Sequence, residues 1–168
     1  MFPGGNIIRV TPTLSTDAYG DSEVLFNPTE IPNAVASRGG VSLLQAMFVL
    51  DSKDVASIDI RFIFTEKNTT DLGTINATAN ISAANLKANK VIGTTNLDAS
   101  EAGTGNNIDN AKIHQVLNAS GPSEAGAPMI LLSADGGQTS CYVSAFIEAG
   151  TPTYDADSLE LIFHIKYL

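Results

Sequence analysis

Two stretches of this chain alternate apolar and polar residues with a period of two, and few folds accommodate that pattern. Across Ala56–Glu66, Ile58, Ile60, Phe62 and Phe64 fall on one side, and Ser57, Asp59, Arg61 and Thr65 on the other. Near the C-terminus, Leu159, Leu161, Phe163, Ile165 and Tyr167 share a side, opposite Glu160, His164 and Lys166. Ile162 is the exception, an apolar residue on the polar side. A period of two is the pleat of a β-strand with one face on a core and one in solvent.

Other segments extend the reading. Val41–Leu50 is almost continuously apolar, which suits a strand covered on both faces or a short helix; Val41, Phe48 and Val49 favour the strand. Asp51-Ser52-Lys53-Asp54 then reads as a polar turn joining two antiparallel strands. Asp135-Gly136-Gly137, between Met129–Leu132 and Ser140–Ile147, reads as a hairpin turn, because a type I′ turn needs positive φ at both central residues. Weaker strands are expected at Asn6–Leu14, Ser22–Phe26, Lys90–Thr95 and Lys112–Leu117. One helix is expected, Ala83–Ala88, with Ser82 as its N-cap. Gly103–Asn110 reads as a loop, and the whole stretch from about Asn68 to Gly126 as an irregular excursion. Together these signals predict an all-β fold, an antiparallel β-sandwich or jelly-roll-like domain spanning residues 1–168.

Chemistry is sparse. Only His114 and His164 could serve as imidazole bases, and both fall in strands; His164 is in the outward phase. Cys141 should face inward with Val143 and Ile147, and as the sole cysteine it excludes an intrachain disulfide. Zinc would need several Cys and His at set spacings. Asp155-Ala156-Asp157 with Glu160 lacks the glycine and further ligands of a calcium loop, and reads as a polar turn. Gly103-Thr104-Gly105 does not lead from a strand into a helix as a phosphate loop does. No catalytic residue, cofactor or metal is expected. A carboxylate pair for glycoside hydrolysis is invisible in sequence, but the chain has no tryptophan to stack on a sugar.

Charge points the same way. Nine cations against 18 acids give a formal net charge of −9, and the cations are scattered from Arg9 to Lys166, so no nucleic-acid stripe forms. Charged residues make up only 16%, leaving Thr, Ser, Asn, Gly and Ala to cover a surface of a kind that suits packing against other subunits and that also occurs in secreted proteins. No stretch has the length to cross a bilayer. Met1-Phe2-Pro3-Gly4-Gly5 carries neither the basic nor the apolar region of a signal peptide, which predicts synthesis in a cytoplasm. The Asn-x-Ser/Thr triplets at Asn68, Asn76, Asn80 and Asn118 are then chance matches.

A resemblance gives these exclusions a direction. Asp17-Ala18-Tyr19-Gly20-Asp21, continuing through Leu25-Phe26-Asn27-Pro28-Thr29-Glu30-Ile31-Pro32-Asn33-Ala34-Val35, resembles the opening of a group of small virion-associated proteins of marine and freshwater tailed phages. Gly150-Thr151-Pro152-Thr153-Tyr154 resembles the ending of the same group, and Gly39-Gly40-Val41-Ser42-Leu43-Leu44 with Val49-Leu50-Asp51 fits between them. Members with a suggested role look like capsid decoration (cement) proteins. The resemblance therefore implies a non-enzymatic subunit at the capsid surface of a virion. Its expected partners are the major capsid protein and copies of itself, as a homo-oligomer such as a trimer. The alternatives are a tail, baseplate or fibre β-domain that binds a host surface or glycan, and, from another class, a small hydrolase.

One segment is a candidate contact arm. Pro28 and Pro32 cannot donate to a central β-ladder. Residues 1–35 could therefore drape over a neighbour, with Phe2, Phe26, Pro28, Ile31, Pro32 and Val35 as the contacts, or fold as a rigid loop on their own core.

Overall fold

The computed structural model describes residues 4–51, 58–98, 105–108, 111–116 and 130–168, with the backbone alone for 105–108. Ten strands and one helix are present among them: β1 (Gly5–Val10), β2 (Val24–Ile31), β3 (Val41–Asp51), β4 (Asp59–Thr65), α1 (Ala83–Ala88), β5 (Val91–Asp98), β6 (Gly105–Ile108), β7 (Ala111–Val116), β8 (Ile130–Ser133), β9 (Cys141–Ala149) and β10 (Leu159–Tyr167).

They form two antiparallel sheets. One runs β1-β10-β3-β7-β6, with β8 pairing β3 beyond the end of β7; the other runs β2-β9-β4-β5. Each inner face supplies the core by alternation. Ile58, Ile60, Phe62 and Phe64 meet Leu159, Leu161, Phe163 and Ile165, all essentially inaccessible. Phe64 packs edge-on against Phe163 across the sandwich, ring centroids 6.2 Å apart.

The connectivity is that of a jelly roll. Taking β8 as the strand that follows β5 in the pattern, the pairs β1–β10, β10–β3 and β3–β8 make one sheet, and β2–β9, β9–β4 and β4–β5 the other. The β6–β7 hairpin is an addition that extends the first sheet. Consecutive strands mostly change sheets, the double Greek-key arrangement.

This topology corrects two expected hairpins. β3 and β4 lie in different sheets, so the polar turn after Asp51 joins sheets rather than neighbours; its residues 52–57 are outside the described set. The Asp135 turn also crosses, from β8 to β9. Gln138 N–H donates to Asp135 C=O at 2.9 Å, and of the two glycines only Gly137 has positive φ, at 90°. Positive φ at the third position alone is the requirement of a type II turn, which splays the flanking strands where type I′ would pair them.

The middle is more ordered than its sequence suggests. Ser82 caps α1 as expected, its hydroxyl accepting from Asn85 N–H at 3.2 Å. Gly105–Ile108 is a strand on β7 rather than loop. The segment from Leu72 to Ile81 is irregular but stitched down. Val24 N–H donates to Ala77 C=O and Asn76 N–H to Val24 C=O, both at 2.9 Å. The Asn27 amide takes Leu72 N–H and gives to Gly73 C=O, both at 2.8 Å. These bonds seat Leu72 on Val24 and Ile63, with Ile75, Ala79, Ile81 and Phe146 around them. The apolar part of the outer face of the four-stranded sheet, around Val24, Ile63 and Phe146, is thereby covered by the chain's own excursion.

Candidate functional site

Of the two readings of the N-terminal segment, the described residues 4–35 follow the second and fold on the chain's own sandwich. β1 pairs β10, and β2 pairs β9 as an edge strand. Phe26, Ile31 and Val35 are buried in the chain's own structure and offer nothing to a neighbour; Phe26 packs near Phe62 with centroids 6.4 Å apart. Pro28 is half-buried, Pro32 is exposed, and Phe2 lies outside the described residues. The prolines still explain the position. The β2–β9 register shifts between Phe26 and Thr29, so Pro28 sits where the ladder is already interrupted, on an edge that needs no donor.

The two end segments that carry the phage resemblance meet in space. Tyr19 N–H donates to Pro152 C=O at 2.8 Å, and Gly150 N–H donates to the Asp21 carboxylate at 3.1 Å. The Tyr19 and Tyr154 rings contact edge-on at 6.1 Å. The Tyr19 hydroxyl accepts from Ser15 N–H at 2.7 Å and donates to Leu25 C=O at 3.2 Å. Burial pushes both tyrosine hydroxyls above their ordinary range, Tyr154 the further. Both phenols thus stay neutral, and the unit acts as a brace between the approach to β2 and the approach to β10.

The residues singled out for chemistry are dispersed. His114 is buried on the inner face beside Val49. His164 lies half-buried on the outer face against Phe48, ring centroids 5.2 Å apart. Cys141 is fully buried, and burial pushes its thiol up to about 12, leaving it protonated and unreactive at neutral pH. Glu160 is engaged by Arg9 at 2.5 Å, while the Asp155–Ser158 segment is a turn closed by Ser158 N–H to Asp155 C=O at 3.1 Å. Among the described residues, no three His, Cys, Asp or Glu side chains gather as a metal site.

Sequence gave no signal for one polar cluster. Lys90, just past α1, contacts both Glu66 (3.3 Å) and Asp135, and Lys67 reaches Asp135 at 3.1 Å. The Ser133 hydroxyl donates to Glu66 at 2.6 Å. Its groups border an open cleft of about 300 Å³ lined by Glu66, Lys67, Thr69, Asp135, Gln138 and Tyr142. Hydrogen bonds from Lys90 and then Lys67 hold the Asp135 carboxyl below its ordinary value, and Asp135 with Glu66 raises the Lys90 ammonium. Two cations against two carboxylates balance, so the cluster ties the end of β4, the end of α1 and the β8–β9 turn together.

The outer face of the six-stranded sheet carries several exposed or half-buried apolar residues. Outward positions follow the register: Ile7 and Arg9 on β1, Glu160, Ile162, His164 and Lys166 on β10, Leu43, Phe48 and Leu50 on β3. Ile7 is 56% and Leu131 52% exposed, well above what an apolar residue shows in a core. The sequence did carry one sign of this face, Ile162 on the polar side of its strand.

No family model matches the sequence, and no curated protein matches it at a significant level. Among solved structures, the chain is similar to one from Desmodium yellow mottle tymovirus, with 10% identity and a TM-score of 0.27, over 98% of this chain and 81% of that one. A likeness that slight carries no role across.

Proposed function

We propose that this chain is a non-enzymatic structural subunit of a virus particle, a head decoration (cement) protein that braces the major capsid protein shell. The observation that carries the reading is the jelly-roll connectivity, an architecture shared by viral capsid domains, lectins and cupins. Topology narrows the class without choosing within it. The choice rests on the resemblance of residues 17–35 and 150–154 to phage virion proteins; part of each stretch joins the Tyr19–Pro152 brace. A core histidine, a stacked histidine and a thiol held at about 12 favour a subunit without catalysis. Net charge −9 argues against a nucleic-acid partner.

The test is quantitative proteomics of purified particles, with heat and osmotic challenge of heads assembled after deletion of the gene. Hundreds of copies per particle and fragile deletion heads are the expected outcome. A handful of copies would move the protein to the tail. Heads of otherwise unchanged composition that resist challenge as well as before would overturn the decoration role.

A further inference from the structure

We propose that the outer face of the six-stranded sheet is a self-association surface, covered by the same face of a second copy across a two-fold axis. The inference deepens the particle-subunit reading and rests on it for the setting in which copies meet.

Apolar residues of neighbouring strands lie side by side on this face, interleaved with Arg9, Glu160, His164 and Lys166. Ile162 lies beside Phe48, Glu160 beside Leu50, and Lys166 beside Leu43, which in turn lies beside Leu131. The run Val41–Leu50 has the composition of a strand covered on both sides, yet among the described residues only one side is covered. Ser42, Leu44, Met47 and Val49 are buried, while Leu43, Phe48 and Leu50 are half-buried and Val41 is 40% exposed. The opposite sheet has its outer face covered by Leu72 and its neighbours. The composition of β3 calls for the same on this side, and contiguous apolar surface of this kind marks an interface.

Charge identifies the occupant. Each copy carries a net charge of −9, so two copies repel through most of their surface. Among the described residues, the outward positions of β1, β3, β8 and β10 hold a single acid, Glu160, partnered by Arg9, together with Lys166. It is the face on which two such molecules meet with least repulsion. Its charges are also self-complementary. Glu160 and Lys166 point the same way near the two ends of β10, roughly 20 Å apart, too far to pair within one chain. A two-fold axis running across the strands sets β10 antiparallel to its counterpart. Lys166 of each copy then meets the Glu160–Arg9 pair of the other, with Ile162 and Phe48 packed between, an isologous contact in which the patch matches itself. A basic partner would instead seek the acidic remainder of the surface.

Sedimentation velocity of the purified full chain tests this, with far-UV circular dichroism as the check on folding. Wild type is expected to dimerise at micromolar concentration, and Ile162→Asp to be a folded monomer. Lys166→Glu should weaken the dimer about tenfold or more by setting acid against acid. The double variant Glu160→Lys with Lys166→Glu should recover the dimer, because swapping both ends restores the match only if the partner is another copy. A wild type that stays monomeric, including one that binds only isolated major capsid protein, overturns the proposal. So does an oligomer, such as a trimer, that Ile162→Asp leaves intact, or a double variant as weak as the single one. Each result is independent of where the protein sits in the particle, so the two readings can fail separately.

Discussion

The two sheets of this sandwich share one core but differ on their outer faces. The four-stranded sheet presents Val24, Ile63 and Phe146 outward, and the Leu72–Ile81 excursion folds back to cover them. The six-stranded sheet presents Ile7, Phe48, Leu50 and Ile162, and no such cover lies over it among the described residues. Two faces of one sandwich thus differ: one carries a cover from its own chain, and over the other none lies among the described residues. Apolar residues count toward the fold where the chain covers itself, and toward assembly where it does not.

Matched substitutions can break that comparison. The largest difference is expected between Ile63→Asp and Ile162→Asp. Ile63 is 9% exposed under the excursion, so a charge there should cost ~3–5 kcal/mol in urea unfolding of the monomer. Ile162→Asp should cost about 1 kcal/mol or less in the same measurement. Equal costs would mean that the two faces are not different in kind. Next, Leu72→Ala removes the centre of the cover and should destabilise by ~2–4 kcal/mol, read from the same curves. Asn27→Ala keeps the apolar contacts but strips the cover of its two amide hydrogen bonds. About 1–3 kcal/mol is expected, with faster hydrogen exchange at Leu72 N–H.

The smallest effect belongs to the ion cluster beside the excursion. Asp135 has a lowered carboxyl pKa, so its contribution is present above the unfolded value of 3.8 and is lost as pH falls through the folded one. Lys90 has a raised pKa, so its contribution holds below 10.5 and is lost as pH rises through the folded value. Asp135→Asn should therefore lower the melting temperature slightly on the plateau between these limits and flatten its fall below about pH 4, where the two proteins converge. An unchanged acid limb would remove the cluster from the account.

Local rules made much of this legible. Alternation located β4 and β10 and their buried residues, and Ser82 marked the start of α1, because these signals act within a few residues of where they are written. Partner choice was not legible. Asp135-Gly136-Gly137 marked where the chain turns but not which sheet it enters next, a decision made by strands far apart in sequence. Phe26, Ile31 and Val35 had the composition of contacts, yet hydrophobicity does not say whether the surface they seek belongs to the same chain. The cover over Ile63 escaped notice because Leu72, Ile75 and Ile81 follow neither period, being held by side-chain and turn hydrogen bonds. Of the candidate site, Ile162 and the unbroken apolar run of β3 were in plain view, and what they lacked was a register to place them side by side.

The position of β10 has a consequence for how the molecule comes into being. It lies between β1 and β3, so neither finds its ladder partner there until residues 159–167 have been made. A pairing this distant in sequence must meet the full loop-closure cost before any contact rewards it. During synthesis β3 can pair β7 and β8, but the edges of β1 and β3 that β10 will occupy stay open while the rest of the chain emerges, a period in which they can take the wrong strand. Completion of this sheet is therefore expected to be slow and late, and β1 to stay undocked from it when synthesis stops short of Leu159.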